Sequence, residues 1–281
     1  MRIEKANKTG FCFGVRRAIN ILEKAAHERG GVETLGAVVH NQQVLQRLAD
    51  IGVRIAKDVD DIKGDVVATS SHGVSPQLEE EIRARHINVI STTCPFVRRA
   101  QVTARRLSES GFFVIIYGDA DHPEVKGILG WARGKGIATL NEEFIATLDR
   151  LPRRLGILSQ TTQVPTHFTQ FAKKLIGPAL TKDSEIRIID TICHDIRERQ
   201  AAALELAKRV DLMLVIGGRS SANTNRLAEV CSTATKTYLI ETAEDIQSSW
   251  IQGQNRIGVT AGASTAEQTV NEVLTNLEAI A

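Results

Sequence analysis

Three cysteines in this chain head nearly the same phrase: CFGVRRA from Cys12, CPFVRRA from Cys94 and CHDIRER from Cys193. Threonine stands one to three residues ahead of each, and apolar residues at helical spacing follow, as at Val15, Ala18, Ile19 and Leu22 or at Val97, Ala100, Ala104 and Leu107. Each cysteine therefore opens a helix. A thiol there is acidified by unpaired backbone N–H groups and the helix dipole, and the thiolate is the form that ligates metal. Three such thiolates, one per third of the chain, can converge on a pseudo-threefold axis. Three soft ligands with a fourth position open suit catalytic zinc or a cubane iron–sulfur cluster with one free iron, and the all-sulfur set favours the cluster. The competing reading is three independent core cysteines, against which the repeated phrase argues. Cys231, inside LAEVCSTATK, lacks the phrase and reads as a packing residue. No Cys-x-x-Cys pair is present, so a zinc ribbon or thioredoxin motif is excluded, and a reducing compartment would keep these thiols unpaired.

Twenty-eight residues beyond each of these cysteines lie His40, His122 and Ser221, each between a strand-like run and a helical pattern. A further polar loop follows in each third, at 70–76, 159–165 and 260–266. Together these loops carry His40, His72, His122, Glu124, Ser71, Thr161, Thr162, Ser220, Ser221, Asn223, Asn225, Ser264 and Thr265. Small hydroxyls and glycines at helix starts make anion sites, because unpaired N–H groups and positive dipole ends face the ligand. A phosphorylated substrate fits, held by neutral donors and imidazoles, since Arg219 and Lys126 are the only obvious bases there. Any one such loop taken alone is an ordinary turn or N-cap. His122 and Glu124, two apart, can face one ligand and relay a proton, or else cap a helix start. His27 and His86 lie in polar helical or turn stretches, His167 and His194 have no matching loop position in the other repeats, and all four are left out.

The elements that position these groups follow from the repeat. A period of about 90 residues is too long for a solenoid and suits a small α/β domain. The runs DVVATS, FFVIIYG, RLGILSQ, LMLVIGG and RIGVTAG are short, continuous and β-branched, as parallel strands covered on both faces are. Functional loops in such sheets gather beyond the carboxyl ends of the strands. The expected organisation is three similar small α/β domains, 13–94, 95–193 and 194–281, with segment 1–12 joining the third. The 281 residues are 42% hydrophobic and 24% charged, a globular composition, and 35 basic against 33 acidic residues leave no charge excess for nucleic acid or anionic lipid. No apolar run approaches the roughly 20 residues of a membrane helix, and the start lacks a signal core, so a cytoplasmic protein is expected.

The motifs GFCFGVRRA (10–18), VVHNQQV (38–44), SSHGVS (70–75), TTCPFV (92–97), HPEVKGILG (122–130), SQTT (159–162), DTIC (190–193), SSANTNRL (220–227) and TAGAST (260–265) together resemble the 4-hydroxy-3-methylbut-2-enyl diphosphate reductases, the last enzymes of the methylerythritol phosphate route to isoprenoids. The resemblance runs from residue 10 to about residue 270, with the motifs in the family's order. It implies a trefoil of three α/β domains around one [4Fe-4S] cluster per chain, held by Cys12, Cys94 and Cys193 with one iron open to substrate. It further implies that His40, His72, His122, Ser221, Ala222, Asn223 and Ser264 bind the diphosphate, and that Thr161 and Glu124 meet the substrate hydroxyl and its proton path. Two departures stand out: Ala222 replaces a serine common in the family, and His194-Asp195-Ile196 replaces a usual Tyr-Ala-Thr.

The implied chemistry is a two-electron reductive dehydroxylation to isopentenyl and dimethylallyl diphosphate, with Glu124 protonating the departing oxygen. No flavin or nicotinamide motif is visible, so electrons are expected from ferredoxin or flavodoxin, and closure of the loops is expected on binding. The enzyme alternative is quinolinate synthase, also with one cluster cysteine per domain. The non-enzyme alternative is a redox- or metal-responsive binding module, against which the His-Pro-Glu and Ser-Gln-Thr-Thr loops argue.

Overall fold

The computed structural model of the chain describes residues 1–39, 41–141, 143, 152–180 and 183–280. It is an α/β protein built on three four-stranded sheets in which every pairing is parallel. The chain divides into two compact units, 1–16 with 39–50 and 194–281, and 17–38 with 51–193.

The first unit holds β1 (Arg2–Lys5), β10 (Leu212–Ile216), β11 (Lys236–Ile240) and β12 (Arg256–Ala261), ordered β1-β12-β10-β11. Helices α2 (Gln42–Asp50), α7 (His194–Ala207), α8 (Ala222–Ser232), α9 (Ser248–Ile251) and α10 (Glu267–Ile280) belong with it. Leu212, Leu214 and Ile216 on the central strand pack with Val259, Val270 and Leu277, while Met213 and Val215 meet Ala203, Leu206 and Leu227. Both faces of β10 are thus covered, which is why LMLVI is apolar at every position rather than alternating.

The second unit holds two sheets. One is β3 (Val53–Ala56), β2 (Val32–Leu35), β4 (Val66–Thr69) and β5 (Asn88–Ile90), in that order across the sheet; the other runs β7 (Gly136–Thr139), β6 (Phe113–Tyr117), β8 (Arg154–Ser159), β9 (Glu185–Ile188). Its helices are α1 (Phe13–Arg29), whose first turn lies in the other unit, with α3 (Pro76–Ala84), α4 (Pro95–Glu109), α5 (Pro123–Trp131) and α6 (Pro165–Ala179). The last four each open on a proline, Pro76, Pro95, Pro123 and Pro165. A missing N–H costs nothing there, and the fixed φ favours the first turn.

Numbered within its own repeat, each sheet has the strand order 2-1-3-4. The fourth strand leads into a cysteine and then a helix: β5 to Cys94 and α4, β9 to Cys193 and α7, β1 to Cys12 and α1. The N-terminal strand completes the C-terminal sheet, with Arg2–Lys5 in register with Arg256–Val259. Strand order reverses between strands 1 and 3 of each sheet, and loops beyond that switch point are where open α/β sheets bind ligands.

Candidate functional site

Each repeat cysteine is fixed by the same bond. Cys94 N–H donates to Ser71 O, Cys193 N–H to Thr161 O and Cys12 N–H to Ala263 O, each at 3.0 Å. All three acceptors lie in the loop that follows strand 3 of the sheet. Each cysteine is also followed at once by a helix, and the Cys12 Sγ accepts the Val15 N–H at 3.4 Å. Cys231 differs: it is fully buried among Leu206, Met213 and Leu227, and burial pushes its thiol up to about 12. It is a packing residue, as its sequence context suggests.

In the second unit the site residues form a chain of contacts. His72, in the loop bonded to Cys94, meets His122 edge to face with ring centroids 5.2 Å apart. His122 caps α5, its Nδ1 accepting the Glu124 N–H at 3.2 Å. With Nδ1 an acceptor, the proton of the neutral ring sits on Nε2, which is then a donor. Glu124 is 2% exposed, and its carboxylate takes two bonds from one residue, from Thr161 N–H at 2.7 Å and Thr161 Oγ1 at 2.8 Å. Thr161 in turn supplies the carbonyl that receives Cys193. Burial raises the Glu124 carboxyl above its ordinary range, opposed by the two Thr161 bonds. Contrary to the acidification expected at a helix start, the Cys94 thiol is raised by burial, which outweighs the Phe96 and Val97 N–H groups and is reinforced by the charge of Glu124.

The first unit brings together Ser221, Asn223, Ser264 and the Cys12 loop. Ser221 caps α8 by accepting the Thr224 N–H, and Ala222 is the first helical residue. Asn223 is buried, and neither of its side-chain polar atoms has a partner. Such orphaned groups cost roughly 1–3 kcal/mol each, so an amide kept this way is poised for a ligand. Gly262, in the loop with Ser264, lies so close that a Cβ there would be 2.3 Å from Thr224 Oγ1 and 3.3 Å from Asn223 Nδ2. The two loops at this switch point are therefore in direct contact. His40 lies outside the described residues.

Among the described residues, no three His, Cys, Asp or Glu side chains are gathered to hold a metal ion. What fits a soft metal group is the chemistry of the donor set: three thiols in equivalent helix-start positions, set apart from the core thiol of Cys231. Of the bases in the loops, Lys126 pairs with Asp121 and Arg219 with Asp245, all of them at the surface except the half-buried Asp245. His194 is exposed and pairs with Glu198, while Ile196 is buried.

Some supporting residues gave no signal in the sequence. Gln101 on α4 and Trp131 on α5 both donate to Val74 O, at 3.3 and 3.1 Å, and so fasten the loop that carries His72. Gln160 accepts the Asp119 N–H and ties the His122 loop to the Thr161 loop. Only the tertiary pairing of distant segments identifies these residues.

A sequence model of the LytB protein family matches residues 3–278. A protein of Dehalococcoides mccartyi named 4-hydroxy-3-methylbut-2-enyl diphosphate reductase is 61% identical over 278 residues, 99% of this chain and 98% of that one. Its namesake from Geobacter sulfurreducens is 44% identical over 280 residues, covering 99% and 97%. Among solved structures, the E-1-hydroxy-2-methyl-but-2-enyl-4-diphosphate reductase of Plasmodium falciparum matches with a TM-score of 0.92 at 26% identity, over 98% of this chain and 87% of that one. A second, described as (E)-4-hydroxy-3-methyl-but-2-enyl diphosphate reductase, the terminal enzyme of the non-mevalonate pathway, matches with a TM-score of 0.71 at 36% identity, covering 99% and 100%. The chain therefore belongs to the LytB family and is, with its named relatives, an oxidoreductase.

Proposed function

We propose that the chain reduces 4-hydroxy-3-methylbut-2-enyl diphosphate to isopentenyl and dimethylallyl diphosphate, using a [4Fe-4S] cluster held by Cys12, Cys94 and Cys193 and taking its electrons from ferredoxin or flavodoxin. Bound by three thiolates, such a cluster would pass on the two electrons one at a time from the external donor and would offer one Lewis-acidic iron. In the balanced reaction the allylic C–O bond breaks, the hydroxyl oxygen takes a proton and leaves as water, and the carbon skeleton takes two electrons and a second proton.

The observation that carries this reading is the buried pair of Glu124 and Thr161, bonded through Thr161 O to Cys193. Desolvation favours the protonated carboxyl, the form an acid needs near neutral pH. A hydroxyl is donor and acceptor at once, so Thr161 can receive the Glu124 proton on one side and pass its own to the substrate oxygen on the other. The diphosphate is assigned to His40, His72, the Nε2–H of His122, Ser221, Asn223, Ser264 and the backbone N–H of Ala222 at the start of α8. Helix starts and neutral donors of this kind suit an anion.

The test is anaerobic iron and sulfide analysis with electron paramagnetic resonance, followed by turnover with a chemical reductant. Glu124→Gln should keep the iron and sulfide content and lower kcat by about 10²- to 10⁴-fold, the usual worth of a positioned acid. Full activity in that variant removes the acid role, and loaded protein that turns over none of the diphosphate removes the reading itself.

A further inference from the structure

The bond that fixes each cysteine N–H has a companion two residues upstream on both strands, and its donor is not the same in all three repeats. Two residues before Cys94, Thr92 Oγ1 donates to Thr69 O, which lies two residues before the Cys94 acceptor Ser71. Two residues before Cys193, Thr191 Oγ1 donates to Ser159 O, two residues before Thr161. A second bond closes each staple, by a different route: Thr191 Oγ1 also accepts the Ser159 N–H at 2.9 Å, whereas around Cys94 it is Thr69 Oγ1 that accepts the Thr92 N–H, at 3.2 Å.

The third repeat cannot use this device. Two residues before Cys12 stands Gly10, at φ +72°, where a Cβ would lie 2.7 Å from Glu267 Oε2. The equivalent carbonyl, two residues before Ala263, is that of Ala261, which is fully buried. It is met by Arg199 Nη1 at 3.0 Å. The same guanidinium donates to Lys8 O at 3.2 Å and Gly10 O at 3.0 Å, and its Nη2 lies 3.5 Å from Asp195 Oδ2. Four partners match the four Nη hydrogens of an arginine. Arg199 is 2% exposed, an unusual burial for a charge that serves only solubility.

We propose that Arg199 is a positioning residue: it staples the Cys12 loop to the loop of Ser264, as Thr92 and Thr191 staple the loops of the other two cysteines. Its functional consequence rests on the proposed roles of Cys12 and Ser264, whereas the staple itself does not. Because Arg199 lies six residues beyond Cys193, the helix launched after one cysteine fastens the loop of another.

The experiment is hydrogen–deuterium exchange on the full metal-free chain, comparing Arg199→Gln, Arg199→Lys, Thr92→Val and Thr191→Val. In Arg199→Gln, exchange of peptides around Cys12 and Ser264 should rise about tenfold or more, as expected for losing charge-assisted bonds to buried carbonyls, while peptides around Cys94 and Cys193 stay within about twofold. Arg199→Lys, which keeps the charge but not the fork, should show a smaller rise in the same two places. Each threonine variant should loosen only its own cysteine loop. A rise spread evenly over all three loops, or none at Cys12, overturns the proposal; if Arg199→Gln does not fold, Arg199→Lys is read by the same criteria. In parallel, iron release to a chelator from the reconstituted enzyme should quicken several-fold in Arg199→Lys. Local loosening in a protein whose wild type assembles no iron–sulfur centre would leave the staple standing and remove the proposed function instead.

Discussion

Glu124 is sealed from water and still held by two donors, and this combination makes a stability prediction that is independent of turnover. Its carboxyl is raised above the ordinary value of about 4.3, so between that value and its folded value the native state binds more protons than the unfolded chain. Stability from this group is therefore fully present below the unfolded value and lost as pH rises through the folded one. Glu124→Gln removes the titration. Its melting temperature should match that of the wild type near pH 4 and gain on it progressively toward pH 8, measured by calorimetry on the metal-free protein. A gap that stays constant with pH would contradict the burial argument. Cys231, with its thiol pushed to about 12, should resist alkylation at pH 8 until denaturant is added, as followed by peptide mass spectrometry. At this scale part is legible: the capped helix start that competes with the proton-relay reading of His122 and Glu124 is formed, whereas the burial of the Glu124 carboxyl has no signal in the sequence. Thr161 reads as a site residue from its loop, but its twofold grip on Glu124 joins segments 37 residues apart, and spacing cannot show that.

At the scale of elements, the 2-1-3-4 strand order puts the loops after strands 1 and 3 side by side, and backbone closeness does the rest. Gly262 is the tightest example. A methyl group there would collide with Thr224 and press on Asn223, so Gly262→Ala should destabilise the fold by about 1–3 kcal/mol and displace Asn223. Chemical denaturation checks the first effect, and a rise in KM for the diphosphate with little change in kcat checks the second. The helices and strands are readable where a signal recurs along the chain: continuous β-branched runs for most central strands, and in all three repeats a cysteine before a helical pattern. The edge strands β3, β7 and β11 are short or mixed in polarity, and local pattern says little about them. The fastening of the His72 loop by Gln101 and Trp131 was invisible for another reason, since an amide and an indole on helices look like ordinary core or surface residues until their shared acceptor is known.

For the whole molecule, the two units carry separate hydrophobic clusters and one tryptophan each, Trp131 in the larger and Trp250 in the smaller. Trp250 stacks on Tyr238 with ring centroids 3.9 Å apart, and Trp131 lies under Arg98 at 4.3 Å, so their emissions report different surroundings. Leu277→Ala empties a fully buried position in the smaller unit and should cost about 2–5 kcal/mol. In a variant that keeps Trp250 as its single tryptophan, this loss should shift the urea transition seen by Trp250 to lower denaturant. The pairing of β1 with β12 also has a consequence for biosynthesis. Residues 2–5 leave the ribosome long before their partner strand at 256–261, since synthesis runs at about 5–20 residues per second. Until then the N-terminal edge has no sheet to join, and Cys12, anchored to Ala263, has no fixed address. A nascent chain stalled short of Ala263 would therefore carry Cys12 unmoored, its loop still lacking the carbonyl that seats it.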